Sequence, residues 1–183
     1  MEKKIVYHET PGPENTDLTL SLAVEAALEQ GIGTMVVASR TGDTAVKLME
    51  RLRETEIRLV VITPQYGFRE EHRFDRELIP RIREAGHEFY AGMMPFHAGE
   101  LYGCSVPSRM GDLLRTFSQG VQVCVQIAMM AFDGGLVHDK EPCVFIAGTW
   151  EGADTALVAT PASSASMEDL RVHEVLCKPH LRG

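Results

Sequence analysis

Apolar residues along this chain fall into two patterns, short continuous runs and longer stretches that repeat every three to four positions. Ile5-Val6-Tyr7 is a short β-branched and aromatic run ending at the turn cluster His8-Glu9-Thr10-Pro11-Gly12-Pro13. Glu14-Asn15-Thr16 then opens a helical pattern, with Leu18, Leu22 and Ala26 on one face and Gly31 as its stop. Met35 to Ser39 and Leu59 to Thr63 are unbroken apolar runs, the mark of strands buried on both faces. Between them Ala45, Leu48, Met49 and Leu52 recur at i, i+3, i+4 and i+7, which predicts a second helix. A short helix carrying Leu78, Ile79 and Ile82 follows, then a less apolar strand from His87 to Ala91, nearer a sheet edge.

From Gly92 to Pro107 the pattern lapses into Gly, Met, His, Pro and aromatic residues, a loop long enough to be functional. Leu113, Leu114, Phe117, Val121, Cys124, Val125 and Ala128 then predict one long helix, bent at Gly120 and stopped by Gly134-Gly135. Val144 to Ala147, Ala156 to Ala159 and Val172 to Leu176 read as strands with no helix between them, which predicts an antiparallel edge pair. The sum is an α/β fold over residues 1–183 as one domain: a three-layer α/β/α sandwich, mainly parallel with an antiparallel edge. Ligands in such sheets bind outside the carboxyl ends of the strands, which selects the loops after Ser39, Thr63, Ala91 and Ala147.

Composition narrows the partners. The 183 residues are 44% hydrophobic and 24% charged, close to the globular average. Lys plus Arg number 18 against 26 Asp plus Glu, a net charge of −8 with no basic run, so nucleic acid and anionic membrane are poor partners. The first residues have no apolar leader, and Val121 to Phe132 is too short to span a bilayer. Of the cysteines at 104, 124, 143 and 177, three sit in apolar runs and none forms a C-x-x-C pair. Free thiols and a reducing, cytoplasmic setting are the expectation.

Three segments carry candidate chemistry. Ser39-Arg40-Thr41-Gly42-Asp43-Thr44 runs from a buried strand into an amphipathic helix, with small residues, hydroxyls and a cation around unpaired amides. That is the make-up of a phosphate site, and equally of a capped helix with Thr41 as N-cap and Asp43 in the first turn. Pro11-Gly12-Pro13-Glu14-Asn15-Thr16 is a second helix-start turn. Gly148 to Thr155 holds the only tryptophan, Trp150, in a loop that is either a plain strand connection or a cover for a ring. His97, Cys104 and Asp112 lack any flanking pattern of a nucleophile, and the remaining histidines lack metal spacing, so catalytic residues are unknown and no metal is expected. Neither a P-loop nor a G-x-G-x-x-G dinucleotide motif is present.

Met35 to Ala45 resembles the segment of the pyruvate kinase C-terminal domain whose loop, in many pyruvate kinases, holds a phosphate of the sugar-phosphate activator. The whole chain resembles the small stand-alone proteins of the pyruvate kinase alpha/beta-domain-like family. The matching stretches are Lys3-Lys4-Ile5 with Pro11 to Thr16, Val36 to Ala45, Gly67-Phe68-Arg69-Glu70, Tyr90-Ala91-Gly92, Ser118 to Ala131, Gly148 to Pro161 and Asp169 to Val175. The resemblance implies the pyruvate kinase C-terminal fold and a bound flavin mononucleotide (FMN). It does not imply kinase activity, since a chain this short lacks the catalytic barrel; a flavin-dependent oxidoreductase is the enzymatic expectation. With the phosphate at Ser39, Arg40, Thr41, Gly42 and Thr44, Phe68 or Trp150 would cover the ring. Backbone around Gly67 and Gly148-Thr149 would meet its N–H and carbonyls, and Asn15, Thr63 or Asp154, beside Thr155, would reach the ribityl hydroxyls. A non-catalytic sensor of a phosphorylated metabolite is the competing function. A homo-oligomer with the Val121–Phe132 helix between subunits is compatible with both.

Overall fold

The unbroken apolar runs become strands because helices cover both of their faces. A computed structural model describes residues 2–68, 73–99, 103–138 and 141–180. Its strands are β1 (Val6–His8), β2 (Thr34–Ala38), β3 (Arg58–Pro64), β4 (Glu88–Gly92), β5 (Cys143–Ala147), β6 (Thr155–Thr160) and β7 (Arg171–Pro179). The helices are α1 (Thr16–Gln30), α2 (Asp43–Leu52), α3 (Leu78–Glu84), α4 (Val106–Arg115) and α5 (Gln119–Asp133). One sheet holds all seven strands in the order β1-β7-β6-β5-β2-β3-β4. β2 pairs in parallel with β3 and β5, β3 with β4, and β1 with β7, whereas β6 runs against both β5 and β7. The mainly parallel sheet with antiparallel pairing on its helix-poor side is the predicted one. β4 forms an edge, as its weaker apolarity implied.

Period-two alternation sorts the strand side chains into two cores. Met35, Val37, Leu59, Val61, Val144 and Ile146 pack with α1, α2 and α3 on one face. Val36, Val60, Ile62, Cys143, Phe145 and Leu157 pack with α5 on the other. α4 lies outside α5, through Met110 and Leu114 against Phe96, Val125 and Met129. The result is three layers, helix on sheet on helix. Among the described residues no helix is long and apolar enough to cross a membrane.

Two helical expectations change. The buried side of α1 is Thr16, Thr19, Leu20, Ala23, Ala26 and Ala27, and Leu18 faces solvent. Small residues let this helix lie close against the sheet, so its buried stripe is not its leucine stripe. The predicted single helix around Gly120 is two: α4 ends at Arg115, and Ser118, extended at φ −178°, caps α5 by accepting from Val121 N–H (3.0 Å). Leu113 and Phe117 accordingly stay exposed. α5 is buried inside its own chain along most of its length from Val121 to Met130, with Val123 half-buried. All four cysteines are free, with Cys104 exposed and the other three buried. Burial pushes the Cys143 and Cys177 thiols up to about 11, and that of Cys124 well above its ordinary value. They are core hydrophobes, as their apolar neighbours predicted.

Candidate ligand-binding site

β2 delivers Ser39 to the carboxyl edge of the sheet, where its N–H still donates to Ile62 O (2.9 Å). The chain then turns through Arg40, Thr41 and Gly42 into α2. Gly42 is the N-cap residue at φ 109°, a left-handed backbone suited to glycine, and a Cβ there would collide with Leu78 Cδ1. Ser39 Oγ accepts from Gly42 N–H (3.2 Å), while Thr41 Oγ1 accepts from Asp43 N–H (3.3 Å) and donates to Asp43 Oδ2 (2.9 Å). Capping is therefore shared by Ser39 and Thr41 around Gly42, rather than resting on Thr41 as N-cap residue. The next amides, Thr44 and Ala45, have no intrahelical carbonyl to bond and carry the positive end of the helix dipole.

This turn is one wall of an open cavity of about 1140 Å³ at the carboxyl ends of β2, β3 and β5. Its floor is apolar, with Ile62, Met94, Val123, Ile127 and Met130. Among the described residues four cations line it, Arg40, Lys47, Arg73 and Arg115, against two carboxylates, Asp43 and Glu151. In a chain of charge −8 that local excess is the reverse of the global field. Arg40 bridges to Glu151 (3.2 Å) across the mouth, and Lys47 lies 3.6 Å from Asp17.

Eight of the expected site residues line the cavity: Ser39, Arg40, Thr41, Thr44, Thr63, Phe68, Gly148 and Trp150. Trp150 stands 76% exposed at the rim in the left-handed region, φ 66°, a conformation unfavourable for a bulky side chain and held only by its surroundings. Asn15, Gly42, Gly67, Thr149, Asp154 and Thr155 are not among the lining residues. Asn15 Nδ2 donates to Thr10 O (2.8 Å) and Gly12 O (3.2 Å). Asp154, wholly buried, accepts from Gly12 N–H (3.2 Å), Thr149 N–H (3.1 Å) and Thr155 Oγ1 (2.8 Å). These bonds, with Ala153 N–H to Thr16 Oγ1 (3.0 Å), tie the N-terminal turn to the loop after β5. They build the rim and leave Asn15 and Asp154 engaged with the protein itself. Gly67 takes φ 82° in the loop after β3, and Arg69 and Glu70 lie outside the described residues.

Among the described residues, three buried polar atoms have no protein partner: Thr63 Oγ1, Arg40 Nε and Gln65 Oε1. Buried polar atoms are almost always paired, so orphans on a cavity wall mark where a polar ligand or water completes the site. The sequence reading missed Gln65, Met94, His97, Arg115, Gln119 and Gln126. His97 Nδ1 lies 3.3 Å from Gln126 Oε1, and Phe68 meets the His97 ring edge-on at 5.3 Å between centroids. The signal was there in α5: glutamines at 119, 122 and 126 follow helical spacing through an otherwise apolar segment. Among the described residues no group of three or more His, Cys, Asp or Glu is placed to hold a metal ion.

Sheet order, layers and cavity together define an α/β sandwich with a ligand-sized cleft at the carboxyl edge of its parallel strands. Residues 17–159 match the family model of the pyruvate kinase alpha/beta domain, and the chain belongs to that family. Among solved structures it is similar to Cryptosporidium parvum pyruvate kinase in complex with ADP, at 14% identity and a TM-score of 0.44. That match covers 82% of this chain and 25% of the pyruvate kinase chain, so the chain spans about a quarter of that enzyme's length.

Proposed function

We propose that the chain binds FMN, with the phosphate at the start of α2 and the ring over the apolar floor. The observation that carries this reading is the two-sided cavity. One wall offers the Thr44 amide, the Ser39 and Thr41 hydroxyls and the Arg40 and Lys47 charges; the other offers Phe68, Met94, Ile127 and Met130. A ligand that is anionic at one end and flat and apolar at the other matches that division. The residues fit the group on a second count, since Thr63, on the same cavity lining, has a buried hydroxyl with no protein partner among the described residues. When bound, the flavin supplies reversible electron transfer through its ring. The chain's own part is to neutralise the phosphate locally, keep water from the floor and present Trp150 as a cover at the mouth.

Visible absorbance of the purified protein and fluorescence titration of the stripped protein test the reading. FMN is expected to bind saturably and riboflavin, which lacks the phosphate, more weakly. Thr41→Glu places a carboxylate beside the phosphate and is expected to weaken FMN by about tenfold or more, to the level of riboflavin. A colourless protein that takes up no FMN, yet gains thermal stability from a sugar phosphate, would instead support a sensor of phosphorylated metabolites.

A further inference from the structure

The loop after β5 holds a strained tip between two fixed ends. Asp154 accepts from Thr149 N–H (3.1 Å) on one side, and Ala153 N–H donates to Thr16 Oγ1 (3.0 Å) on the other. Gly152, at φ 68°, lies so close to the N-terminal turn that a Cβ there would sit 2.6 Å from Pro13 Cα. Between these ends Glu151 N–H donates back to Thr149 O (2.9 Å), closing a three-residue turn around Trp150 at φ 66°. A turn of that kind is rare and strained, the more so around a bulky residue. Packing does not hold it, since Trp150 is largely exposed. What ties the tip across the cavity mouth is the ion pair of Glu151 Oε1 with Arg40 Nη2 (3.2 Å).

That pair is incomplete. A guanidinium presents Nε and Nη2 side by side as a two-pronged face for an oxyanion. Glu151 meets the Nη2 prong, while Nε is buried with no partner among the described residues. A carboxylate held by one prong at an exposed site is weakly bound. Arg40 stands in the turn that leads into α2, so a phosphate there draws on the same guanidinium. Nε is out of solvent's reach in this arrangement, so a two-pronged grip comes only with a shift of the guanidinium or of the tip. We infer that Glu151 is an internal competitor for Arg40: an anion at the α2 turn takes the guanidinium from Glu151, and the released tip lets Trp150 leave its strained turn. The inference rests on the anionic half of the proposed ligand and not on its ring. It makes the loop a device that responds to occupancy, with Glu151 setting how strongly an anion must compete.

Calorimetric titration of the native and Glu151→Gln proteins with FMN and with inorganic phosphate, at constant ionic strength, tests the competition. Glu151→Gln is expected to bind both about threefold more tightly, the ordinary worth of an exposed ion pair. In an Arg40→Gln background that gain is expected to vanish, because nothing is left to compete for. Trp150 is the only tryptophan, so its emission reports the tip. Phosphate is expected to change the native emission saturably, and Glu151→Gln to show the changed emission before any anion is added. Equal affinities in the native and Glu151→Gln proteins overturn the inference, as does a gain that persists without Arg40. If Arg40→Gln binds too weakly to titrate, emission decides: a ligand-free Glu151→Gln spectrum identical to the native one overturns it. FMN uptake unmoved by Glu151→Gln overturns this inference and leaves the flavin reading standing. No FMN uptake, with phosphate held more tightly by Glu151→Gln, overturns the flavin alone. Neither anion bound by either protein overturns both.

Discussion

Asp154 shows how a single residue shapes the site without touching what it would hold. A wholly buried carboxylate is costly unless its oxygens are satisfied. Here two backbone N–H groups and one hydroxyl satisfy it, from Gly12, Thr149 and Thr155. The two amides belong to segments far apart in sequence, so the side chain acts as a pin between them. Asp154→Ala is expected to destabilise the chain by about 3 kcal/mol or more in urea denaturation, because two buried amides lose a charged acceptor. Thr155→Val removes only one of the three bonds, although its hydroxyl also lies 3.4 Å from Ser118 Oγ, and is expected to cost about 1 kcal/mol. Equal midpoints for the two variants would refute the pinning role. The sequence offered Asp154 as a ligand contact, and its oxygens are engaged by the protein itself. A residue string says that an acid sits near glycines, but burial decides whether its acceptors face a ligand or the backbone.

At the scale of elements, the break between α4 and α5 is the instructive case. Ser118 is buried and its hydroxyl accepts from Val121 N–H, supplying one of the amides that a helix start leaves unpaired. Ser118→Ala is expected to cost about 1 kcal/mol of stability, readable as a lowered urea midpoint with an unchanged slope. A midpoint within error of the native one would show that the cap carries no weight. The pattern from Leu113 to Ala128 hid this break, because apolar residues on both sides keep helical spacing across it. The strands were legible by contrast: a run such as Leu59 to Ile62 is apolar at every position, and only burial on both faces suits it. α2 was legible for the same reason in reverse, with Ala45, Leu48 and Leu52 marking one buried face. The site divides along this line. Its Ser39–Thr44 wall lies in one contiguous turn and can be read from the chain, whereas His97 and Gln126 meet only after α4 and α5 fold back over the sheet. Until then the glutamines look like interruptions in an apolar helix.

The whole molecule joins a charge of −8 to an interior that excludes protons from two histidines, and both features set its response to pH. Burial holds the His8 pKa below its ordinary value, partly offset by Asp154 and Glu14, with its Nε2 3.1 Å from Thr19 Oγ1. Burial likewise lowers His87, whose Nδ1 accepts from Leu59 N–H (3.3 Å) and can do so only unprotonated. In each case the unfolded chain binds a proton more readily than the native one, so stability rises with pH through this range. The contribution is complete above the ordinary histidine value near 6.5 and drains away as pH falls towards the lowered native values. A second limb follows in acid. Glu14 is held below its ordinary value by its own backbone amide and by the Thr10 hydroxyl, and Asp17 by Arg51 and Lys47. Their stabilisation is present above about pH 4.5 and is lost as pH falls through the lowered native values. Urea midpoints taken from about pH 8 to 2.5 should therefore hold level, fall below about 6.5, and fall again in acid. Replacing both His8 and His87 with Gln, which can still accept from Leu59 N–H, is expected to flatten the first fall and leave the second. A double variant that keeps the full slope between about pH 7.5 and 5.5 would place the proton-linked loss elsewhere in the chain.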